Sequence, residues 1–66
     1  MEATTHYAFE QPPLSVVLAN SLKLNCEQYH RGDITRQEWD DTQVALWRYA
    51  ESHGIAPAVR SLVTPR

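Results

Sequence analysis

Cysteine and glycine are scarce in this chain of 66 residues. The one cysteine, Cys26, excludes an internal disulfide, and two glycines leave no glycine-rich phosphate loop. No apolar run is long enough for a membrane span, and residues 1–13 contain no Lys or Arg. We therefore expect no signal peptide and no membrane contact, with the cytoplasm as the compartment.

Basic residues are also few, with 6 Lys and Arg against 8 Asp and Glu and a formal net charge of −2. A protein that neutralises phosphates normally carries a basic stripe, which this chain lacks. Nucleic acid is therefore a disfavoured partner.

Catalytic and metal-binding patterns are missing as well. Cys26 and His30 stand four residues apart, but a structural zinc normally takes four ligands. The acidic residues Glu38, Asp40 and Asp41 fall in the first two turns of a predicted helix, where they complement its positive end. We expect no enzyme activity, no cofactor and no metal site.

Apolar residues recur at helical spacing after the double proline that ends at Pro13. Steps of three or four residues join them into one stripe, which predicts a helix over residues 14–31. Pro13 suits the first helical turn, and Gly32 is placed to end the helix in a left-handed conformation. The stripe consists of Leu14, Leu18, Leu22, Cys26 and Tyr29.

The segment that follows begins with Arg31-Gly32-Asp33, a tripeptide known from adhesion ligands, but its surroundings predict a corner between two helices. Thr35 and Glu38 fit a capping box, and Ile34 and Trp39 fit a hydrophobic staple. The second helix is predicted over residues 36–53, with Gly54 as its stop.

These elements predict an all-α fold, an antiparallel helical hairpin. Residues 57–63 allow a short third helix, closed by Pro65. Residues 1–13 are predicted to be an extended arm, and residues 14–66 one small helical domain. A domain of this size is marginal on its own and depends on tight helix packing or on a partner.

The second helix has an unusually wide apolar surface. At about 100° per residue, Trp47 lies roughly 80° to one side of Trp39, and Tyr49 roughly 80° to the other. One antiparallel helix cannot cover an arc that wide, because the apolar stripe of a surface helix is typically about 100°. The third helix, the arm, a second copy or another protein must cover the rest.

We therefore predict a small non-catalytic protein-binding module, a regulator or inhibitor that occupies a partner's surface. Its partner is another protein or a second copy in a homodimer. Aromatic and Arg residues dominate binding hot spots, so the predicted contact residues are Trp47, Arg48 and Tyr49 on the second helix and Tyr7 and Phe9 on the arm.

Two alternatives remain open. One is a homodimeric helical bundle that binds nucleic acid through aligned arginines, namely Arg31, Arg36, Arg48 and Arg60. The other is an accessory subunit of a larger enzyme.

Overall fold

The computed structural model describes residues 12–64, and within this range the chain consists of three helices without strands. Helix α1 spans Leu14–Arg31, α2 spans Arg36–Ser52 and α3 spans Ala56–Val63. The predicted all-α hairpin with a short third helix is therefore confirmed. The predicted bounds differ by one residue at the end of α2 and at the start of α3. Residues 1–11 of the predicted arm, and the predicted stop at Pro65, lie outside the described residues.

Helix α1 begins and ends where its flanking residues require it. Pro13 is the residue immediately before the helix, and its carbonyl accepts hydrogen bonds from the Val16 and Val17 N–H groups at 3.0 and 3.2 Å. At the other end Gly32 has a φ of +82°, which residues with a Cβ rarely adopt. The Gly32 N–H donates to Tyr29 and the Asp33 N–H to Gln28, at 3.0 and 2.9 Å. This pair of bonds is a Schellman motif.

Helix α2 begins with the capping box that the T-x-x-E spacing predicts. The Glu38 N–H donates to Thr35 Oγ1 at 3.1 Å, and the Thr35 N–H donates to Glu38 Oε1 at 2.8 Å. Each bond satisfies a backbone donor that the helix itself leaves free. Gly54, with a φ of +70°, follows the end of α2. The Gly54 and Ile55 N–H groups donate to Glu51 and Ala50, both at 3.0 Å, in a second Schellman motif.

The core lies at the open end of the hairpin, where all three helices meet. Half of its buried apolar residues are alanines, which let the helix axes approach closely. Leu46, Trp47, Ile55 and Val63 surround this centre and are half-buried. The buried apolar residues are Leu18, Ala19, Leu22, Ala50, Ala56 and Val59.

Helix α3 packs mainly against α1 and covers only one flank of the hairpin. On α2 this is the flank of Trp47, which packs against the core cluster that contains Val59 of α3. Tyr49, on the other flank, remains 46% exposed. Within residues 12–64, α3 thus covers the Trp47 flank of the wide apolar arc of α2 and leaves the Tyr49 flank open. No helix in the described range is both long and apolar enough to cross a membrane.

Candidate functional site

The flank of the hairpin that α3 leaves open carries a groove of about 520 Å³ between α1 and α2. We call it the α1/α2 groove. Its α1 wall contains residues at steps of three and four, which follow one edge of that helix. Its α2 wall runs from the capping box toward the middle of the helix. The lining residues are Ser21, Leu24, Asn25, Gln28, Ile34, Glu38, Asp41, Thr42 and Leu46.

Apolar side chains form much of this groove. Leu24 is 49% exposed, more than any other large apolar side chain of residues 12–64. Ile34 and Leu46 are half-buried on the opposite wall. Leu14 and Val17 continue the Leu24 edge toward the start of α1, because they precede Ser21 by seven and four residues, and both are exposed. An apolar strip about three helical turns long, from Leu14 to Leu24, therefore faces solvent.

The charged residues that line the groove are both acidic. Glu38 accepts the capping hydrogen bond from the Thr35 N–H, and Asp41 Oδ1 accepts one from Gln37 Nε2 at 2.8 Å. Both donors are neutral. Among residues 12–64, neither carboxylate has a Lys, Arg or His nitrogen within 4.0 Å. The groove therefore combines apolar walls with two negative charges that no cation of residues 12–64 compensates.

Tyr49 stands on the groove side of α2, three residues beyond Leu46. Its ring packs against that of His53 with 4.2 Å between centroids, and His53 Nδ1 lies 3.0 Å from the Tyr49 carbonyl oxygen. Tyr49 therefore lies on the same side of α2 as the groove, although it is not one of the lining residues. Arg48, the neighbouring predicted contact residue, is exposed on the side of α2 that faces away from the hairpin.

Trp47 is in a different position from Tyr49. It is half-buried against the core, and the Arg60 guanidinium of α3 lies 5.6 Å from the centroid of its ring. The indole also borders a second depression of about 340 Å³ beside α3, together with Leu22, Lys23, Cys26, Gln43 and Val63. Trp47 and Tyr49 are thus separated by the width of α2 and do not form one contact surface.

Asn25 is the residue that the sequence reasoning overlooked. It is only 5% exposed, and its Nδ2 donates to the Trp39 carbonyl oxygen at 3.0 Å and to Gln43 Oε1 at 3.1 Å. Its helical spacing gave a signal, because Asn25 lies three residues after Leu22 and four before Tyr29, between two members of the predicted stripe. These bonds satisfy both N–H donors of the buried amide and tie α1 to two consecutive turns of α2.

Cys26 and Trp39 meet beside this amide. Trp39 Nε1 donates to Cys26 Sγ at 3.4 Å, and the ring of Trp39 lies 5.6 Å from that of Tyr29. The Arg36 guanidinium lies 5.3 Å from the Trp39 ring centroid, within the range of a cation–π contact. Ile34 instead lines the α1/α2 groove, and its predicted staple with Trp39 stays a prediction.

The residues of the Arg31-Gly32-Asp33 tripeptide interact with one another in the turn that ends α1. Arg31 Nε lies 3.2 Å from Asp33 Oδ2, and both side chains are exposed. Gly32 is explained by the left-handed helix end. This local pairing and the glycine's helix-stop role account for all three residues of the tripeptide.

The other predicted features give no chemical centre in the described range. No three His, Cys, Asp or Glu residues of that range are grouped closely enough to hold a metal ion. Cys26 is a half-buried free thiol, and His30 is exposed beside the ring of Tyr29. The predicted arm contacts, Tyr7 and Phe9, lie outside the described residues.

Comparison of the chain with protein-family models, with curated proteins and with solved structures finds no match.

Proposed function

We propose that this chain is a small protein-binding module without catalytic activity of its own, and that the α1/α2 groove is its binding surface. The observation that carries the proposal is the exposure of Leu24 on the wall of an apolar groove that α3 does not cover. A contiguous apolar surface on a small protein marks an interaction site more often than a scattered apolar residue does.

The proposed role is that of a regulator or inhibitor that acts in the cytoplasm by occupying a partner's surface. The single free thiol is consistent with a reducing compartment. Tyr49 is the aromatic residue placed to contact a groove-bound partner. Trp47 packs against the core beside α3, so the proposed binding surface keeps Tyr49 from the predicted contact residues and leaves out Trp47.

Nucleic-acid binding receives less support from the arginines. Arg31 pairs with Asp33, Arg36 lies over two aromatic rings and Arg60 lies over Trp47. Only Arg48 among the four proposed phosphate contacts has no such described interaction. Binding of phosphate by the other three arginines would compete with the interactions that they already make.

A selection from a random helical-peptide library on phage tests the proposal without assuming the partner's sequence. We expect enriched peptides to bind the wild type and L62Q equally, and to bind L24Q at least about ten-fold more weakly, as expected for loss of a central apolar contact. Leu62 is a matched control because it is 44% exposed on α3. If no peptide enriches, or if L24Q binds the peptides as tightly as the wild type, the groove is not a peptide-binding surface.

A further inference from the structure

The hairpin already binds one short helix within its own chain, and that contact shows what its flanks accept. Helix α3 inserts Ala56 and Val59 between α1 and α2, three residues apart on one face. Its one basic residue within the helix, Arg60, lies over the ring of Trp47 at the rim. The covered flank therefore takes a short helix that combines small apolar anchors with a cation.

The open flank has the same architecture with a different electrostatic character. The α1/α2 groove runs between the same two antiparallel helices, and its apolar lining residues are Leu24 on one wall and Ile34 and Leu46 on the other. The exposed apolar strip from Leu14 to Leu24 is about 15 Å long, which matches a partner helix of about 10 residues. Glu38 and Asp41 give this flank two charges that no cation in the described range neutralises.

We propose that the partner of the α1/α2 groove is an amphipathic helix with apolar residues at i, i+3, i+4 and i+7 and with Lys or Arg flanking that stripe. The inference rests on the proposed function and adds the chemistry of the ligand. Apolar anchors would fill the space between Leu24 and Leu46, in the helix-in-groove mode of peptide recognition. The flanking cations would meet Glu38 and Asp41, whose charges disfavour an acidic partner.

Charge complementarity favours this occupant over a second copy of the chain. In a symmetric dimer the same patch meets itself, so Glu38 and Asp41 of one copy would approach the acidic rim of the other. A basic helix instead brings opposite charges together at the same rim.

Two designed helical peptides with the same leucine stripe test the inference, one with Lys and the other with Glu at every flanking position. Binding is measured by fluorescence anisotropy at low and high salt, on protein whose mass is checked by light scattering. We expect the Lys peptide to bind at least about ten-fold more tightly than the Glu peptide and to lose affinity as salt is added. L24Q is expected to weaken the Lys peptide and L62Q to leave it unchanged.

The double variant E38Q/D41N removes the charge and keeps the local structure, because glutamine still completes a capping box and asparagine still accepts from Gln37. We expect it to bind the Lys peptide about five-fold more weakly, as for two exposed ion pairs. The control D40N/E51Q removes two exposed charges from the opposite side of α2 and is expected to bind like the wild type.

The outcomes separate the inference from the proposed function. Equal, Leu24-dependent binding of both peptides keeps the groove as a protein-binding surface and overturns the basic partner, as does wild-type binding by E38Q/D41N. A dimer that L24Q dissociates shows that a second copy fills the groove. If neither designed peptide binds while library peptides still depend on Leu24, the inferred ligand chemistry is wrong and the proposed function stands.

Discussion

A buried amide in a small apolar interior is stabilising only when its partners are in place. Asn25 has two such partners, both on α2, and the nearby core is built largely from alanine and leucine. Loss of the amide leaves Gln43 Oε1 with only a long contact to Cys26 Sγ at 4.0 Å. The amide therefore specifies the register of the hairpin as well as contributing to its stability.

We expect N25A to lower the free energy of unfolding by about 1–3 kcal/mol, the usual cost of leaving a buried polar group unsatisfied. Urea denaturation followed by tryptophan fluorescence measures it. N20A is the matched control on the same helix, because Asn20 is exposed, and its effect should stay within about 0.5 kcal/mol. Equal effects of the two substitutions would contradict the role assigned to the Asn25 amide.

Gly32 gives a second prediction, in which backbone strain is separated from packing. A Cβ at this position meets no heavy atom within 4 Å, so a substitution here is strained only through the positive φ. We expect G32A to destabilise the chain by about 1 kcal/mol and G32N by less, because asparagine tolerates the left-handed region better. Thermal unfolding by circular dichroism distinguishes the two. A G32A chain as stable as the wild type would show that the helix end does not require glycine.

At the scale of elements, the helix limits were predictable because their signals are local. These signals act on neighbouring residues, and each flanks a helix end as predicted: Pro13, Gly32, the Thr35 capping box and Gly54. The burial of Asn25 was not predictable in the same way, since its partners come from α2 and depend on the packing register. The sequence also left open which flank α3 would cover, because both edges of α2 carry an aromatic residue.

The capping box should contribute measurably to the stability of α2. We expect T35A to cost about 1 kcal/mol, because it leaves the Glu38 N–H without its partner. E38Q should be nearly neutral, since its amide oxygen still accepts from the Thr35 N–H. Helix content and urea midpoints of both variants check this. A T35A chain as stable as the wild type would show that the Thr35 hydroxyl has no capping role.

Helix α3 should depend on one side chain for its position. Val59 is 0% exposed, and V59A removes two buried methyl groups, which we expect to cost about 2 kcal/mol. The tryptophan fluorescence of the chain should also change, because Arg60 of α3 lies over the ring of Trp47. L62A, at an exposed position of the same helix, is the control and should change neither quantity. An unaltered stability in V59A would mean that α3 is not docked as described.

For the whole molecule, apolar residues divide into those that stabilise the fold and those that remain available to a partner. Leu22 is 3% exposed and Leu24 is 49% exposed, although they stand two residues apart on α1. Leu22 faces the three-helix core and Leu24 faces the open groove. Because both are leucines on the same helix, the same substitution compares the two surfaces directly.

We expect L22A to lower the free energy of unfolding by about 3 kcal/mol, a large part of the stability of so small a domain. L24A should cost less than about 1 kcal/mol, since much of its side chain is already in water. Urea denaturation at two protein concentrations measures both. A large cost for L24A that grows with protein concentration would mean that association buries Leu24 in a second copy. A large cost independent of concentration would place Leu24 in the folded core of the monomer and remove the apolar wall on which the proposed binding surface depends.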